Sequence, residues 1–447
     1  MGVFMGMLDG SMVSIALPTI TTHFNVNLAQ SQWAITGYML AMTGLFIFFG
    51  KIADFTGKTR LFLTGWALFT VSSLACGLST NLEQLVLFRI FQGIGGSMVT
   101  AVAGALIFEI FPQEERGKAM GFFGIVFGAG TMIGPGLGGF IVDHFGWEYI
   151  FIINVPLGIV LLALAAIYLK VPEKKSGRFE IDWIGAASLC IAVVTLMLAC
   201  TEIATDLKVT AELAIYAAAC LASTTVFLAR ESRIAKPLLD LSIFRNRKFT
   251  LPLLSTMFMF IPISVVSTLS PFYFQGVMGY TPSQVGLIFM VIPLFMMFAA
   301  PASGALYDKR HWRFQAAAGM LVSAASFALL AYAFLIGNIW LVLAAFVIRG
   351  VGGGFFMSPN SVETMSSVPR EKTAIASSAS STITYLAVML GVALSTVFLT
   401  AYLNMAGYAG PTFLAGAALL SDAMAAITLV AGAFCILSAA TAALRNI

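Results

Sequence analysis

The sequence predicts an all-α membrane protein of fourteen transmembrane helices: two related six-helix bundles, an inserted central helix pair, and both termini cytoplasmic. Three observations predict it. Of the 447 residues, 59% are hydrophobic and 10% charged, with mean hydropathy +0.95, whereas soluble domains carry about a quarter charged residues. Apolar segments of the roughly 20 residues needed to cross the hydrocarbon recur along the whole chain. Two short patterns also return in the second half. Gly50-Lys-Ile-Ala-Asp54-Phe-Thr-Gly57-Lys-Thr-Arg60 reappears as Gly304-Ala-Leu-Tyr-Asp308-Lys-Arg-His-Trp-Arg313, at an offset of 254. Gly93-Ile-Gly95-Gly96 reappears as Gly350-Val-Gly352-Gly353, at an offset of 257.

In order, spans fall near 1–21, 32–53, 60–78, 84–108, 117–141 and 147–169, then 183–203 and 211–229, then 250–277, 284–306, 314–336, 339–362, 374–402 and 424–444. The first reads as a spanning segment rather than a cleaved signal, having no small-residue cleavage site after a basic start. The repeat offset divides the spans six, two, six. The domains are therefore an N-terminal bundle (1–170), linkers with the inserted pair (171–248), and a C-terminal bundle (249–447). Charge fixes the orientation: with the N-terminus inside, the inner connections hold Lys and Arg from Lys51 to Lys372, and the outer ones only Lys208. Positive loops belong on the cytoplasmic side. Lys170–Asp182 and Glu231–Lys248 are the two long charged connectors.

These features also exclude function classes. The net charge of +4 is spread over short loops, so nucleic acid is not an expected partner. Cys76, Cys190, Cys200, Cys220 and Cys435 sit in apolar segments without metal-ligand spacing. His23, His144 and His311 lie at span ends, away from any cysteine cluster or carboxylate pair. Gly57-Lys58-Thr59 resembles the tail of a phosphate-binding loop, but Ile52 stands where the first glycine is required and no strand precedes it. No catalytic residue, metal site or cofactor is predicted, and the chain is not expected to be an enzyme. Paired halves in a membrane protein are instead the architecture of a transporter.

The ionisable residues within spans are Asp9, Arg89, Arg349 and Glu363. A charge at the bilayer centre costs about 2.5–3.5 kcal/mol on insertion scales, so such groups face a cavity or a partner. Asp9 lies near the middle of the first span. Arg89 lies on the fourth, and Gln92, three residues on, shares its helix face. Burial disfavours an ionised carboxyl and a nearby cation favours it. A carboxyl under both influences suits proton uptake in one conformation and release in another. Asp9 is read as the principal proton- or cation-binding carboxylate and Arg89 as its tuner. Glu363 follows Pro359, which removes a backbone donor and loosens the local ladder; it is either an interfacial carboxylate or a third coupling group. Arg349 aligns with Gln92 when the Gly-x-Gly-Gly runs are superposed, so the halves differ chemically at this depth.

The fifth span reads Gly124-x3-Gly128-x-Gly130-x3-Gly134-Pro135-Gly136-x-Gly138-Gly139, and small residues four apart let helices approach closely in lipid. Together with Leu8-Asp9 through Pro18, Gly50–Arg60, Arg89-x-x-Gln92-Gly93, Trp147–Gly158, Pro237–Phe249 and Gln275–Gly286, it resembles the major facilitator superfamily, within it the fourteen-helix drug:proton antiporter family. The resemblance covers essentially the whole chain. Glu148 departs from it, standing where a basic residue is common. So do spans 10 and 13, which hold no acid where some multidrug members carry one; this turns the expected cargo from dications toward neutral or monocationic compounds.

The resemblance implies alternating access, with proton entry coupled to export of small amphipathic, often cationic, compounds. The alternative is a facilitator or symporter for a metabolite or lipid-like molecule. It also implies gating and motif roles for Gly50, Asp54, Gly57, Arg60, Arg116, Asp308, Gly134, Pro135 and Gly138. Asp54 would pair with Arg116, or latch onto a helix N-terminus, where anions are favoured; Asp308 would be its weaker counterpart. Trp33, Tyr38, Phe272, Tyr273, Phe274, Gln275 and the Met-rich stretch Met290–Met297 are candidates to line an adaptable binding surface, since methionine conforms to varied shapes and aromatic faces attract cations. Gln92 and Arg349 are its polar members. A monomer in the plasma (inner) membrane is expected, with the lipid bilayer, protons and the cargo as partners.

Overall fold

The computed structural model describes residues 2–110, 116–169, 182–206, 210–234, 241–310, 312–369, 373–408 and 416–444, and the described residues form helices and no strands. Two compact units result. The first comprises Met1–Val26, Gln30–Ala199 and Thr210–Leu239, the second Asn27–Ala29, Cys200–Val209 and Asp240–Ile447. The inserted pair, predicted as a separate middle segment, thus groups largely with the first unit.

The first unit holds α1 (Gly2–His23), α3 (Trp33–Thr56), α4 (Lys58–Gly77), α5 (Leu82–Ile110), α6 (Arg116–His144), α7 (Tyr149–Ile152), α8 (Asn154–Tyr168), α10 (Ala211–Glu231) and most of α9 (Trp183–Asp206), while the short α2 (Leu28–Ser31) is divided between the units. α1 packs on α6, α3 and α4 on α5, and α4 on α8. The inserted pair is tied at its ends, where Arg230 Nε donates to both Asp182 oxygens at 3.2 and 3.3 Å. Cys190 Sγ on α9 meets the Gly44 carbonyl of α3 at 3.2 Å.

The second unit has a 3₁₀ turn (Leu241–Arg245), α11 (Arg247–Gly276), α12 (Pro282–Arg310), α13 (Gln315–Ile336), α14 (Ile339–Ser366), α15 (Thr373–Met405) and α16 (Ala417–Leu444). Here α11 packs on α15 and α16, α12 and α13 on α14, and α13 on α16. The pairings α1/α6, α3/α5, α4/α5 and α4/α8 thus return as α11/α15, α12/α14, α13/α14 and α13/α16.

The repeat is visible at the level of single atoms. A Cβ built on Gly95 would lie 2.6 Å from the Gly65 carbonyl, and one built on Gly352 would lie 2.7 Å from the Gly319 carbonyl. Gly65 and Gly319 are separated by the loop offset, 254; Gly95 and Gly352 by the glycine-run offset, 257. Each half therefore repeats one helix crossing too tight for any side chain.

Twelve helices among the described residues are long and apolar enough to cross a membrane. α3, of 24 residues, and α6, of 29, are the long helices outside that dozen. In hydrocarbon every backbone group must find a partner within the protein, which a helix provides. Hydroxyls in the spans follow the same rule by bonding back one turn: Thr21 Oγ1 donates to the Leu17 carbonyl at 2.6 Å and Thr43 Oγ1 to that of Met39 at 2.8 Å.

Candidate functional site

In the first unit Asp9 and Arg89 meet, and both are buried. Asp9 is 1% exposed and Arg89 fully buried. Arg89 Nη1 donates to Asp9 Oδ2 at 2.6 Å. A buried pair repays its desolvation only with good geometry and further hydrogen bonds, and both partners have them. Asp9 Oδ1 accepts from Gln92 Nε2 at 3.1 Å and from Asn154 Nδ2 at 2.8 Å. Arg89 also donates from Nη1 to Gln92 Oε1 at 2.6 Å and from Nε to the Ala34 carbonyl at 2.8 Å. Its guanidinium carbon stands 4.3 Å from the Tyr38 ring centre and 5.6 Å from that of Phe151.

Ser73 closes the network. Its Oγ accepts from Gln92 Nε2 and Asn154 Nδ2, each at 3.1 Å, and donates to the Phe151 carbonyl at 3.0 Å. Six helices contribute: Asp9 from α1, Ala34 and Tyr38 from α3, Ser73 from α4, Arg89 and Gln92 from α5, Phe151 from α7, and Asn154 from the start of α8. The chain between α7 and α8 breaks at Ile153, which places Phe151 and Asn154 on either side of the interruption.

This arrangement can accommodate a change of charge on Asp9. If the carboxylate were protonated, Arg89 would keep the Gln92 and Ala34 oxygens and the Tyr38 face. Asn154 Oδ1 is buried with no hydrogen-bond partner, so rotating that amide would turn an acceptor toward a protonated Asp9. Ser73 and Asn154 escaped the sequence reading because neutral polar side chains in a span carry no charge to mark them. Asn154 did stand inside the quoted Trp147–Gly158 signature.

Gln92, Tyr38 and Tyr273 were expected on a binding surface. Gln92 is instead fully buried as the bridge between Asp9, Arg89 and Ser73, and Tyr38, 3% exposed, covers the guanidinium. Tyr38 also borders a small cavity with Gly6, Met7, Met42, Trp66 and Gly96. Tyr273 is 3% exposed and donates to the Phe334 carbonyl at 2.8 Å, which makes it a packing residue of the second unit. Trp33 and Gln275 are partly exposed.

The motif glycines of α6 explain themselves by packing. A Cβ on Gly134 would collide with Ser11 Oγ, and one on Gly138 would lie 2.9 Å from the Met12 Cα. Both press on α1, the helix that carries Asp9. Pro135 sits inside α6 between them. Gly57 is the whole connection between α3 and α4, at φ 96° and ψ 138°, a left-handed backbone that favours glycine. Gly50 has open space where a Cβ would be. Arg60 and Asp308 are exposed. The side chains of Asp54 and Arg116 lie outside the described residues. Glu363 is half-buried and accepts from Tyr307 Oη at 2.8 Å, in the second unit and apart from the Asp9 network. Arg349 is 6% exposed, with its guanidinium carbon 4.9 Å from the Phe327 ring centre.

Comparison with known proteins agrees with this architecture. The sequence model of the Major Facilitator Superfamily matches residues 1–392. The chain is 36% identical to the riboflavin transporter RibZ of Clostridioides difficile, over 89% of this chain and 86% of that one. It is 31% identical to the multidrug transporter protein MdtP of Bacillus subtilis, over 85% and 70%, and 30% identical to the multidrug resistance protein Stp of Mycobacterium tuberculosis, over 84% and 70%. Among solved structures, a bacterial homologue of the human lysosomal transporter Spinster superposes with TM-score 0.71 at 14% identity, covering 100% of this chain and 95% of that one. The peptide transporter PepTSo does so with TM-score 0.70 at 15% identity, covering 100% and 96%.

Proposed function

The chain belongs to the Major Facilitator Superfamily, a transporter rather than an enzyme, and on that premise we propose that it is a proton-coupled antiporter exporting amphipathic small molecules by alternating access. The observation that carries the proposal is the buried network around Asp9: a carboxylate held by one cation and two amides, with a spare acceptor beside it on Asn154. Asp9 takes up the proton. Gln92, Ala34 and Tyr38 hold Arg89 while the charge on Asp9 is absent. Because α6 glycines fit directly against α1, a movement of α1 that admits water to Asp9 requires α6 to follow. One proton moving down 100 mV releases about 2.3 kcal/mol, enough for roughly a fiftyfold cargo gradient.

The relatives named as multidrug transporters support an amphipathic cargo. A second reading, transport of a metabolite, is favoured by the relative named as a riboflavin transporter. We further propose fourteen crossings, with α3 and α6 added to the dozen, and a multi-pass monomer in the plasma membrane. Proteoliposomes with an imposed pH gradient test the reading. Antiport predicts proton efflux when cargo is added on the opposite side; cargo flux indifferent to the gradient would leave a facilitator.

A further inference from the structure

The tight glycine crossings set the two halves in register, and that register exposes an asymmetry. By the offsets of 254 and 257, Phe327 occupies the place of Ser73 and Arg349 the place of Gln92. The contact itself is preserved: Gln92 Nε2 donates to Ser73 Oγ at 3.1 Å, and Arg349 lies over the Phe327 ring at 4.9 Å. In the first unit the position serves an acid. In the second it is a cation set against a phenyl ring.

Arg349 is 94% buried, and its Nε finds no hydrogen-bond partner. The ring face engages the π-cloud side of the guanidinium rather than its in-plane N–H donors, of which the one on Nε is unpartnered. Neither a hydrogen bond nor an ion pair joins it to any described residue. The Cys435 thiol of α16 lies within electrostatic reach of Arg349, but the unit's described helices place no carboxylate at this depth. α11, α13 and α15 contain no Asp or Glu. Asp308 and Glu363 lie in the last turn of α12 and α14, and Asp422 in the second turn of α16. Glutamine fills the equivalent position in the first half without any charge to desolvate. A buried charge without a partner is destabilising, so the fold holds Arg349 in a state that an anion would relieve.

We propose that Arg349 is the anchor of an anion-binding site in the second unit, taking a carboxylate-like anionic group. The anion is either the charged end of the transported molecule or a free inorganic ion such as chloride. The first source rests on the transport reading above and narrows it to cargo with an anionic end, distinct from the cationic class that the family resemblance suggested.

The test uses the full chain in lipid nanodiscs, in wild-type form and as R349Q, R349M and R349K. Two xanthene dyes of matched shape and opposite charge, fluorescein and rhodamine 123, probe equilibrium binding by anisotropy. Melting in chloride against gluconate probes the free ion. An anionic cargo end predicts fluorescein affinity about tenfold or more weaker in R349Q and R349M, retained in R349K, with rhodamine 123 unchanged. A free-ion site predicts that chloride raises the melting temperature of wild type and R349K only. Both predict that R349Q or R349M melts no lower than wild type in gluconate. Equal fluorescein binding and equal chloride response across all four proteins overturns the assignment. So does failure of both neutral variants to fold, which would mean Arg349 already has its partner inside the protein. Fluorescein bound through Arg349 without any flux would count against transport alone.

Discussion

Replacing Arg89 by Gln removes the cation from a site with almost no water. The native charges stand 2.6 Å apart with side chains 1% and 0% exposed. At an effective dielectric of 20, a separation of that size corresponds to about 6 kcal/mol of attraction, set against a desolvation cost of several kcal/mol per ion. Removing one partner strands the other, which typically costs about 3–5 kcal/mol. Arg89→Gln also deletes the bonds to Ala34 and Gln92. Asp9→Asn in the same protein removes the stranded charge, so the double variant should recover part of the loss. A coupling of about 2–4 kcal/mol between the two substitutions is expected. It is measured as a double-mutant cycle of SDS-induced unfolding in mixed micelles, followed by tryptophan fluorescence. Effects that add to within about 0.5 kcal/mol would refute an energetically coupled pair.

Two further outcomes follow from packing and hydrogen bonding. Gly134→Ala should impair folding or transport because the new methyl collides with Ser11, while Gly128→Ala, with nothing within 4 Å, should be neutral or gain up to about 1 kcal/mol of helix propensity; thermal melting of the pair checks both. Asn154→Leu should cost about 1–3 kcal/mol, because it removes the amide that donates to Asp9 and Ser73; thermal melting reads the loss.

The sequence made Asp9 and Arg89 legible because charge inside an apolar span is conspicuous. Helix spacing was enough to put Gln92 beside Arg89. Ser73, Asn154 and Ala34 were not legible. Two are neutral, common residues whose convergence depends on tertiary packing, and the third contributes only its backbone. Tyr38 and Tyr273 looked like cavity residues because an aromatic in a span carries no mark of which way it faces. Their hydroxyl and ring partners come from other helices. Of the α6 run, Gly130, Gly134 and Gly138 are sites of close approach and Gly128 is not; which helix they meet became visible only in three dimensions. The loop after α3 was expected to be short; it proved to be Gly57 alone, since helix propensity carries both neighbouring spans into the basic motif.

The central claim is that Asp9 exchanges its proton as cargo moves. It is tested most directly by reconstituting Asp9→Asn in proteoliposomes with a pH gradient and a pH-sensitive dye inside. Proton movement evoked by cargo should vanish while cargo exchange at equal pH persists. Full gradient-driven transport by Asp9→Asn, at normal expression, would contradict the account.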